Sequence, residues 1–299
     1  MISWNEISNI CERIEFPNEA IATLEKVYAT TMQTFEKEIQ TLSSQWLDPE
    51  ADWKQCLADL SVIAEKTGVS INVLQLVFFL YSAIPLRKEY EKRNLPEELY
   101  WETLQDLRYK MIECYNLYGE WGIFVPIWYR CFYICERFSL GRLQYEKIPF
   151  PLDNYNNIVK KDDIVLACHI PSSGALLEND VIESLKSAYN FYKSYTVDGI
   201  LTIVCHSWLL YEPFEEVFTD SPNVQKFRKL FNIIGNEKDE TNRDFWRIFN
   251  KNFSKETLLE VSPKTKLQNR LHKYLLEGNC MGCGLGIIRF DGAKIINKP

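Results

Sequence analysis

The sequence predicts an α+β protein, with an all-helical first half followed by a half in which strands and helices are mixed. Before residue 140, apolar residues recur at helical steps of three and four, as in the stretch Ile21–Phe35. After Gly141, short apolar runs of strand length surround one amphipathic helical stretch. The change of pattern predicts one domain of residues 1–140 and a second of residues 141–299.

The helices of the first half are predicted to begin at residues that favour helix starts, either proline in the first turn or a capping side chain. These starts are Pro17, Asp48, Ser70 and Pro96. Gly68 and Gly119 each follow an apolar helical stretch, where glycine commonly ends a helix. No strand is predicted in this half.

The second half predicts a βαβ unit within a mixed sheet. The nearly continuous apolar runs Asp163–Ile170 and Gly199–Cys205 are typical of strands covered on both faces. The amphipathic stretch Glu178–Tyr195 lies between them, and such units are right-handed in nearly all proteins. The flanking elements are predicted as a strand at Arg142–Glu146, a strand at Val224–Ile234, a helix at Lys264–Glu277 and a strand at Leu285–Phe290.

Composition and charge exclude several classes of protein. Hydrophobic residues are 46% of the 299 residues and charged residues 25%, which excludes a largely disordered chain. The formal net charge of −7 argues against general nucleic-acid binding, which depends on neutralising phosphates. The longest apolar stretch, near residues 73–86, is interrupted by Gln75, Ser82 and Pro85, so a buried helix is expected and no membrane span. The oligomeric state stays open.

The nine cysteines are scattered, which fits reduced thiols better than a disulfide framework. Residues 1–18 carry Glu6, Glu12 and Glu15 and lack the pattern of a signal peptide. A cytoplasmic protein is therefore expected. Cys280 and Cys283 have the spacing of a metal hairpin, but no second pair matches it, so no metal is expected.

Histidines mark the ends of the two buried strands. Of the three histidines, His169 ends the first strand and His206 follows the second, while His272 lies in a predicted helix. Ligands of open α/β sheets bind outside the carboxyl ends of the strands, so both imidazoles are expected within reach of one ligand. Histidine can transfer protons near neutral pH. The alternative is that each imidazole only binds the backbone of a loop.

Two further patterns allow more than one interpretation. The turn Pro171–Gly174 precedes a helix, where backbone N–H groups and the helix dipole can bind a phosphate. The alternative is an ordinary strand-to-helix turn that binds no ligand. The run Cys205–Trp208 offers a nucleophile beside His206 and leaves a hydrolase as one alternative. Consecutive strand residues face opposite sides, however, so Cys205 and His206 are not expected to face each other. The same objection weakens a zinc site built from Cys168, His169, Cys205 and His206.

The segments that carry a family resemblance occur in the expected order. They are Gly141–Glu146, His169–Pro171, Cys205–Leu210, Val224–Ile234 and Leu267–Leu276. With them the chain resembles a bacterial acyltransferase-like family, whose members join a helical N-acyltransferase N-terminal domain to a GNAT-like C-terminal domain. The resemblance implies an N-acyltransferase that moves an acyl group, such as acetyl, from acyl-CoA directly to an amine on a small molecule or peptide.

The resemblance also implies roles for individual residues. Pantetheine would lie along the first strand to Ile170, and the pyrophosphate would bind Ser172, Ser173 and Gly174. His206 or His169 would take the proton of the amine, and Tyr211 would protonate the leaving thiolate.

The loop departs from the usual GNAT pattern, Gln/Arg-x-x-Gly-x-Gly/Ala. It reads His169-Ile-Pro-Ser-Ser-Gly174, with one glycine instead of two and a proline that removes an N–H donor. This departure favours the alternative function, a non-catalytic ligand-binding protein that keeps the GNAT-like sheet without acyl-CoA chemistry.

Overall fold

The computed structural model describes residues 2–297 and divides the chain into two compact units, with the division between Phe138 and Ser139. Each unit has its own core. The first unit is helical, and the second combines a six-stranded sheet with several helices. The predicted α+β class is therefore confirmed.

Five long helices make up most of the first unit, because their apolar residues recur on faces that pack together. The most apolar of them, α4, buries residues around its whole circumference, among them Leu74, Phe78 and Phe79. Two short segments, a 3₁₀ turn at Pro126–Tyr129 and the helix α6, complete the unit. The helices are α1 (Trp4–Arg13), α2 (Asn18–Leu47), α3 (Trp53–Thr67), α4 (Ile71–Lys92), α5 (Glu97–Tyr118) and α6 (Arg130–Tyr133).

One predicted helix start is wrong. Asp48 follows the end of α2, and its carboxylate accepts a hydrogen bond from the backbone N–H of Glu50, two residues on, as in an Asx turn. Asp52 caps α3 instead, because its side chain accepts from the N–H groups of Lys54 and Gln55.

The second unit is built on a six-stranded sheet in the order β1-β2-β5-β6-β8-β7. Strands β5 and β6 run parallel, whereas β2–β5, β6–β8 and β7–β8 are antiparallel. A separate hairpin is formed by β3 and β4. The strands are β1 (Arg137–Leu140), β2 (Leu143–Pro149), β3 (Asn154–Tyr155), β4 (Val159–Lys160), β5 (Ile164–His169), β6 (Leu201–Ser207), β7 (Asn232–Asp239) and β8 (Met281–Phe290).

Helix α7 connects β5 to β6 and completes the predicted βαβ unit. The remaining helices are short and lie in the connections between β6, β7 and β8. The helices of this unit are α7 (Glu178–Phe191), α8 (Pro222–Lys229), α9 (Trp246–Phe249), α10 (Lys255–Glu260) and α11 (Lys266–Leu276).

Two strand predictions need correction. The stretch Val224–Ile234 is not one strand, because Pro222 opens helix α8, on which Phe227 is buried, and strand pairing begins only at Asn232. The chain before residue 141 also contains a strand, β1, which forms one edge of the sheet.

Both faces of the sheet are covered, which explains the nearly continuous apolar runs of β5 and β6. On one face, Val165, Ala167 and Val204 form a buried cluster with Phe150 and residues of the β3–β4 hairpin. We call this the hairpin face. On the other face, the Tyr145 hydroxyl lies 3.0 Å from Oγ of Ser184 on α7. We call this the α7 face.

Candidate functional site

The parallel ladder between β5 and β6 is short. It pairs Leu166 with Ile203 and Ala167 with Val204. Both strands continue beyond these pairs, but no longer pair with each other. Strand β5 stays paired with β2 as far as His169, and β6 stays paired with β8 as far as Ser207. We call the stretch beyond Ala167 and Val204 the fork. Backbone groups that line the fork are outside the β5–β6 ladder.

The structure brings His169 and His206 to this fork. Strand alternation places His169 on the same face as Ala167, and His206 on the same face as Val204. Ala167 and Val204 both belong to the buried cluster of the hairpin face. The two imidazoles therefore share one face and one edge of the sheet. Their side chains are 23% and 55% exposed, so a ligand at this edge can contact both.

His169 has a carboxylate partner that the sequence did not indicate. Nε2 of His169 lies 2.7 Å from Oε1 of Glu146, whose side chain is 14% exposed. Glu146 is opposite Ala167 in the antiparallel β2–β5 register, so it projects from the same face as His169. The arrangement resembles the histidine–carboxylate pairs that abstract protons in enzymes.

His206 has a weaker acidic neighbour. Its Nε2 lies 3.9 Å from Oε2 of Glu237 on β7, too far for a hydrogen bond. The Glu237 side chain is 73% exposed, so water screens this pair. His206 is thus the more accessible imidazole, and His169 is the one that is held in place.

The predicted phosphate loop follows β5 directly. Ile170 and Ser173 are half-buried, and Ser172 and Gly174 are exposed. Gly174 has a φ of +110°, a backbone conformation that favours glycine. The loop leads into α7, whose first turn has no side-chain cap, so helix N–H groups there are not bound by a capping side chain.

Arg142 fixes the shape of this loop. Its guanidinium donates to the carbonyl oxygens of Pro171, Gly174 and Ala175 at 3.1, 2.7 and 3.0 Å. The sequence indicated only a strand at Arg142. These hydrogen bonds hold three loop carbonyls toward the guanidinium.

The start of α7 also carries acidic side chains, which oppose an anion there. Glu178 and Asp180 lie in its first turn. Lys226 of α8 offsets part of this charge, because its Nζ lies 2.9 Å from Oε2 of Glu178.

Tyr211 lies apart from the two imidazoles. It is buried, and its ring packs on β8 so closely that a Cβ at Gly282 would be 2.5 Å from the ring carbon Cε2. On β8, Ile287 belongs to the hairpin face, so Gly282, an odd number of residues away, points to the α7 face. The Tyr211 ring therefore lies on the α7 face, against β8, which is the neighbour of β6 on the side away from the fork. Burial raises the pKa of Tyr211, and neighbouring Cys280 adds to the rise. Its role as a proton donor stays a prediction.

Cys168 and Cys205 also lie on the α7 face, opposite the imidazoles, as strand alternation predicts. The hydrogen bond with Cys168 and burial raise the pKa of the Cys205 thiol well above its ordinary value, which disfavours a thiolate nucleophile.

Among residues 2–297, no group of three or more His, Cys, Asp or Glu side chains could hold a metal ion. None of the helices in this range has the length and apolar character to cross a membrane.

Two family models together match nearly the whole chain. Residues 138–288 match the family model of the GNAT-like C-terminal domain, and residues 5–135 match that of the N-acyltransferase N-terminal domain. The chain belongs to this two-domain GNAT-like family. The family resemblance of this GNAT-like chain is therefore confirmed.

Solved structures share the fold of this GNAT-like chain. An acyltransferase in complex with decanoyl-CoA has a TM-score of 0.72 and 20% identity, over 95% of this chain and 87% of its own. An acyltransferase in complex with decanoyl-CoA and teicoplanin has a TM-score of 0.71 and 18% identity, over 95% of this chain and 88% of its own. A third, in complex with CoA and 10C-teicoplanin, has a TM-score of 0.70 and 18% identity, with coverages of 94% and 87%. A comparison with curated proteins found no match.

Proposed function

We propose that this GNAT-like chain is an acyl-CoA-dependent N-acyltransferase that transfers an acyl group directly to an amine. The observation that carries the proposal is the fork between β5 and β6, with His169 and His206 at one edge and on one face. A thioester arm that enters the fork would present its carbonyl carbon to that face. The family match and the acyl-CoA ligands of the structural neighbours favour this chemistry over non-catalytic binding.

Direct transfer requires a base, because a protonated amine cannot attack a carbonyl carbon. We assign this role to His169, which takes the proton as the new C–N bond forms and the C–S bond breaks. Backbone N–H groups at the fork would polarise the thioester carbonyl. His206, the more exposed imidazole, would contact the acceptor. The departing thiolate needs a proton, which the protonated His169 can return on the same face. Tyr211, the donor that the resemblance implies, is buried on the opposite face.

The loop after β5 would bind the cofactor. Its Ser172, Ser173 and Gly174, with the uncapped start of α7, would donate N–H groups to the CoA pyrophosphate. Ile170 would lie along the pantetheine arm. The Arg142 hydrogen bonds support this assignment, because they fix the loop in one shape before a ligand arrives.

Replacing Arg142 with Lys is expected to weaken CoA binding about 10-fold, because an ammonium cannot reproduce the planar set of guanidinium donors. Isothermal titration calorimetry with CoA measures the change. Arg270→Lys is the matched control, since Arg270 makes its two hydrogen bonds to the Asp220 carboxylate and not to a loop carbonyl. Equal CoA affinity in the wild type and Arg142→Lys would exclude the role of Arg142 in shaping the loop.

The acceptor is proposed to be a small-molecule or peptide amine. The fold neighbours in complex with teicoplanin and its 10C form support an acceptor of this size. A cytoplasmic location is proposed because none of the nine cysteines forms a disulfide, which fits a reducing compartment. The resemblance to a bacterial family suggests that this compartment is a bacterial cytoplasm.

Calorimetric titration and thiol release test the function together. Acetyl-CoA and decanoyl-CoA are each titrated into the protein, and CoA release is followed with a panel of primary amines. Saturable binding with amine-dependent release of CoA is expected. Absence of binding at millimolar concentrations of both thioesters would overturn the proposal, and binding without release with any amine would favour the non-catalytic alternative.

A further inference from the structure

We infer that Glu146 is a positioning residue, which orients the His169 imidazole and stabilises its protonated form during transfer. The inference rests on the proposed function, in which His169 is the base. Neither the family match nor the structural neighbours assign a role to Glu146.

The geometry of the pair meets the requirements of such a device. The 2.7 Å distance between Nε2 of His169 and Oε1 of Glu146 is that of a charge-assisted hydrogen bond. Both side chains are mostly buried, which reduces screening of the pair by water. Both residues lie on paired strands rather than on loops, so the backbone fixes their separation.

The hydrogen bond also selects the nitrogen that acts as base. An ionised carboxylate only accepts, so Nε2 of His169 carries a proton and donates it to Glu146. Nδ1 is then the basic nitrogen. When Nδ1 takes the proton of the attacking amine, the imidazolium forms beside the negative charge of Glu146, which lowers the free energy of that state.

Other titratable groups of the second unit lie on the same face. His206 is at the corresponding position of β6, and Glu237 and Asp239 follow on β7, where Asp239 is paired with Arg243. A protonated His206 would oppose protonation of His169, whereas Glu237 lies nearer His206. The charge of Glu146 also contributes to the raised pKa of Tyr192, after burial.

The test is an NMR titration of the imidazoles combined with a pH–rate profile. The chain has three histidines, so His169→Asn, His206→Asn and His272→Asn assign all the imidazole signals. Glu146→Gln removes the charge and keeps the shape. The His169 titration midpoint is expected to fall by about one pH unit or more in this variant.

The rate should respond in the same direction. Since the base must be neutral, the acidic limb of kcat/KM in Glu146→Gln is expected to move to lower pH, and kcat at neutral pH to fall at least about 10-fold. The KM for acyl-CoA should not change. Glu146→Asp keeps the charge and is expected to restore part of the titration midpoint. Glu237→Gln, the matched control, should leave the His169 midpoint unchanged.

The outcomes separate this inference from the proposed function. A wild-type enzyme that transfers acyl groups, together with a Glu146→Gln variant whose His169 midpoint and acidic limb do not move, would overturn the role of Glu146. A wild-type protein without transfer activity would overturn the proposed function, while the NMR titration would still measure the coupling of the two side chains. If Glu146→Gln does not fold, Glu146→Asp provides the test, because its shorter side chain lengthens the hydrogen bond: a His169 midpoint and an acidic limb below those of the wild type are expected, and unchanged values would overturn the role of Glu146.

Discussion

Replacing His169 with Asn is expected to lower kcat for acyl transfer by about 10²–10⁴-fold, the range over which a general base contributes. Asn keeps a polar side chain of similar size but cannot take a proton from the amine. The KM for acyl-CoA is expected to stay the same, because His169 is proposed to act on the acceptor amine, whereas residues 172–174 are proposed to bind the phosphates. Steady-state rates of CoA release over a series of acyl-CoA concentrations measure both constants.

Two other histidine variants complete this experiment. His272→Asn is the control expected to retain wild-type rates, since His272 bonds the carbonyl oxygen of Leu258 and packs against Phe249, and neither residue belongs to the proposed site. His206→Asn is expected to raise the KM of the amine more than it lowers kcat. If His206→Asn removes activity and His169→Asn retains it, then the base is His206 and not His169.

Replacing Gly174 with Trp is expected to weaken CoA binding by about 100-fold or more. The indole would occupy the space in front of the loop, and the φ of +110° strains any residue with a Cβ. Loss of one or two charge-assisted hydrogen bonds to the pyrophosphate accounts for this magnitude. Calorimetric titration with CoA measures the loss.

Gly199→Trp is the matched control for this variant. Gly199 also has a positive φ, of +73°, and has no other atom within 4 Å of the place a Cβ would take. It lies just before β6, at the opposite end of that strand from the fork. We expect Gly199→Trp to bind CoA with wild-type affinity. Wild-type affinity in Gly174→Trp as well would mean that the phosphate does not bind at Gly174.

The βαβ unit and its histidines could be predicted because they depend on local patterns. The sequence shows an apolar run of strand length that ends in His169, then a helix, then a second run that ends beside His206. This order predicts that both imidazoles lie at the same end of two parallel strands. Their shared face follows from the register of β5 and β6, in which Ala167 and Val204 are paired.

Glu146 and Arg142 could not be predicted, because their partners are distant in sequence. Glu146 reaches His169 only through the antiparallel register of β2 and β5, which no local pattern specifies. Arg142 binds carbonyl oxygens of a loop that lies about thirty residues later. The alternating run around both residues indicated a strand and nothing about its neighbours.

The stretch Val224–Ile234 was mispredicted for a different reason. Its apolar residues suit a strand, but Pro222 and the spacing of Val224 and Phe227 also suit a helix, and tertiary packing decides between the two. Phe227 is buried on α8, and the strand pairing that follows begins at Asn232.

A crystal structure with bound CoA tests the fork most directly. We expect the CoA sulfur between β5 and β6, beyond Ala167 and Val204, with the pyrophosphate against residues 172–174. CoA bound at another place, with the space between the two strands filled by the chain's own side chains, would contradict the proposed transfer site.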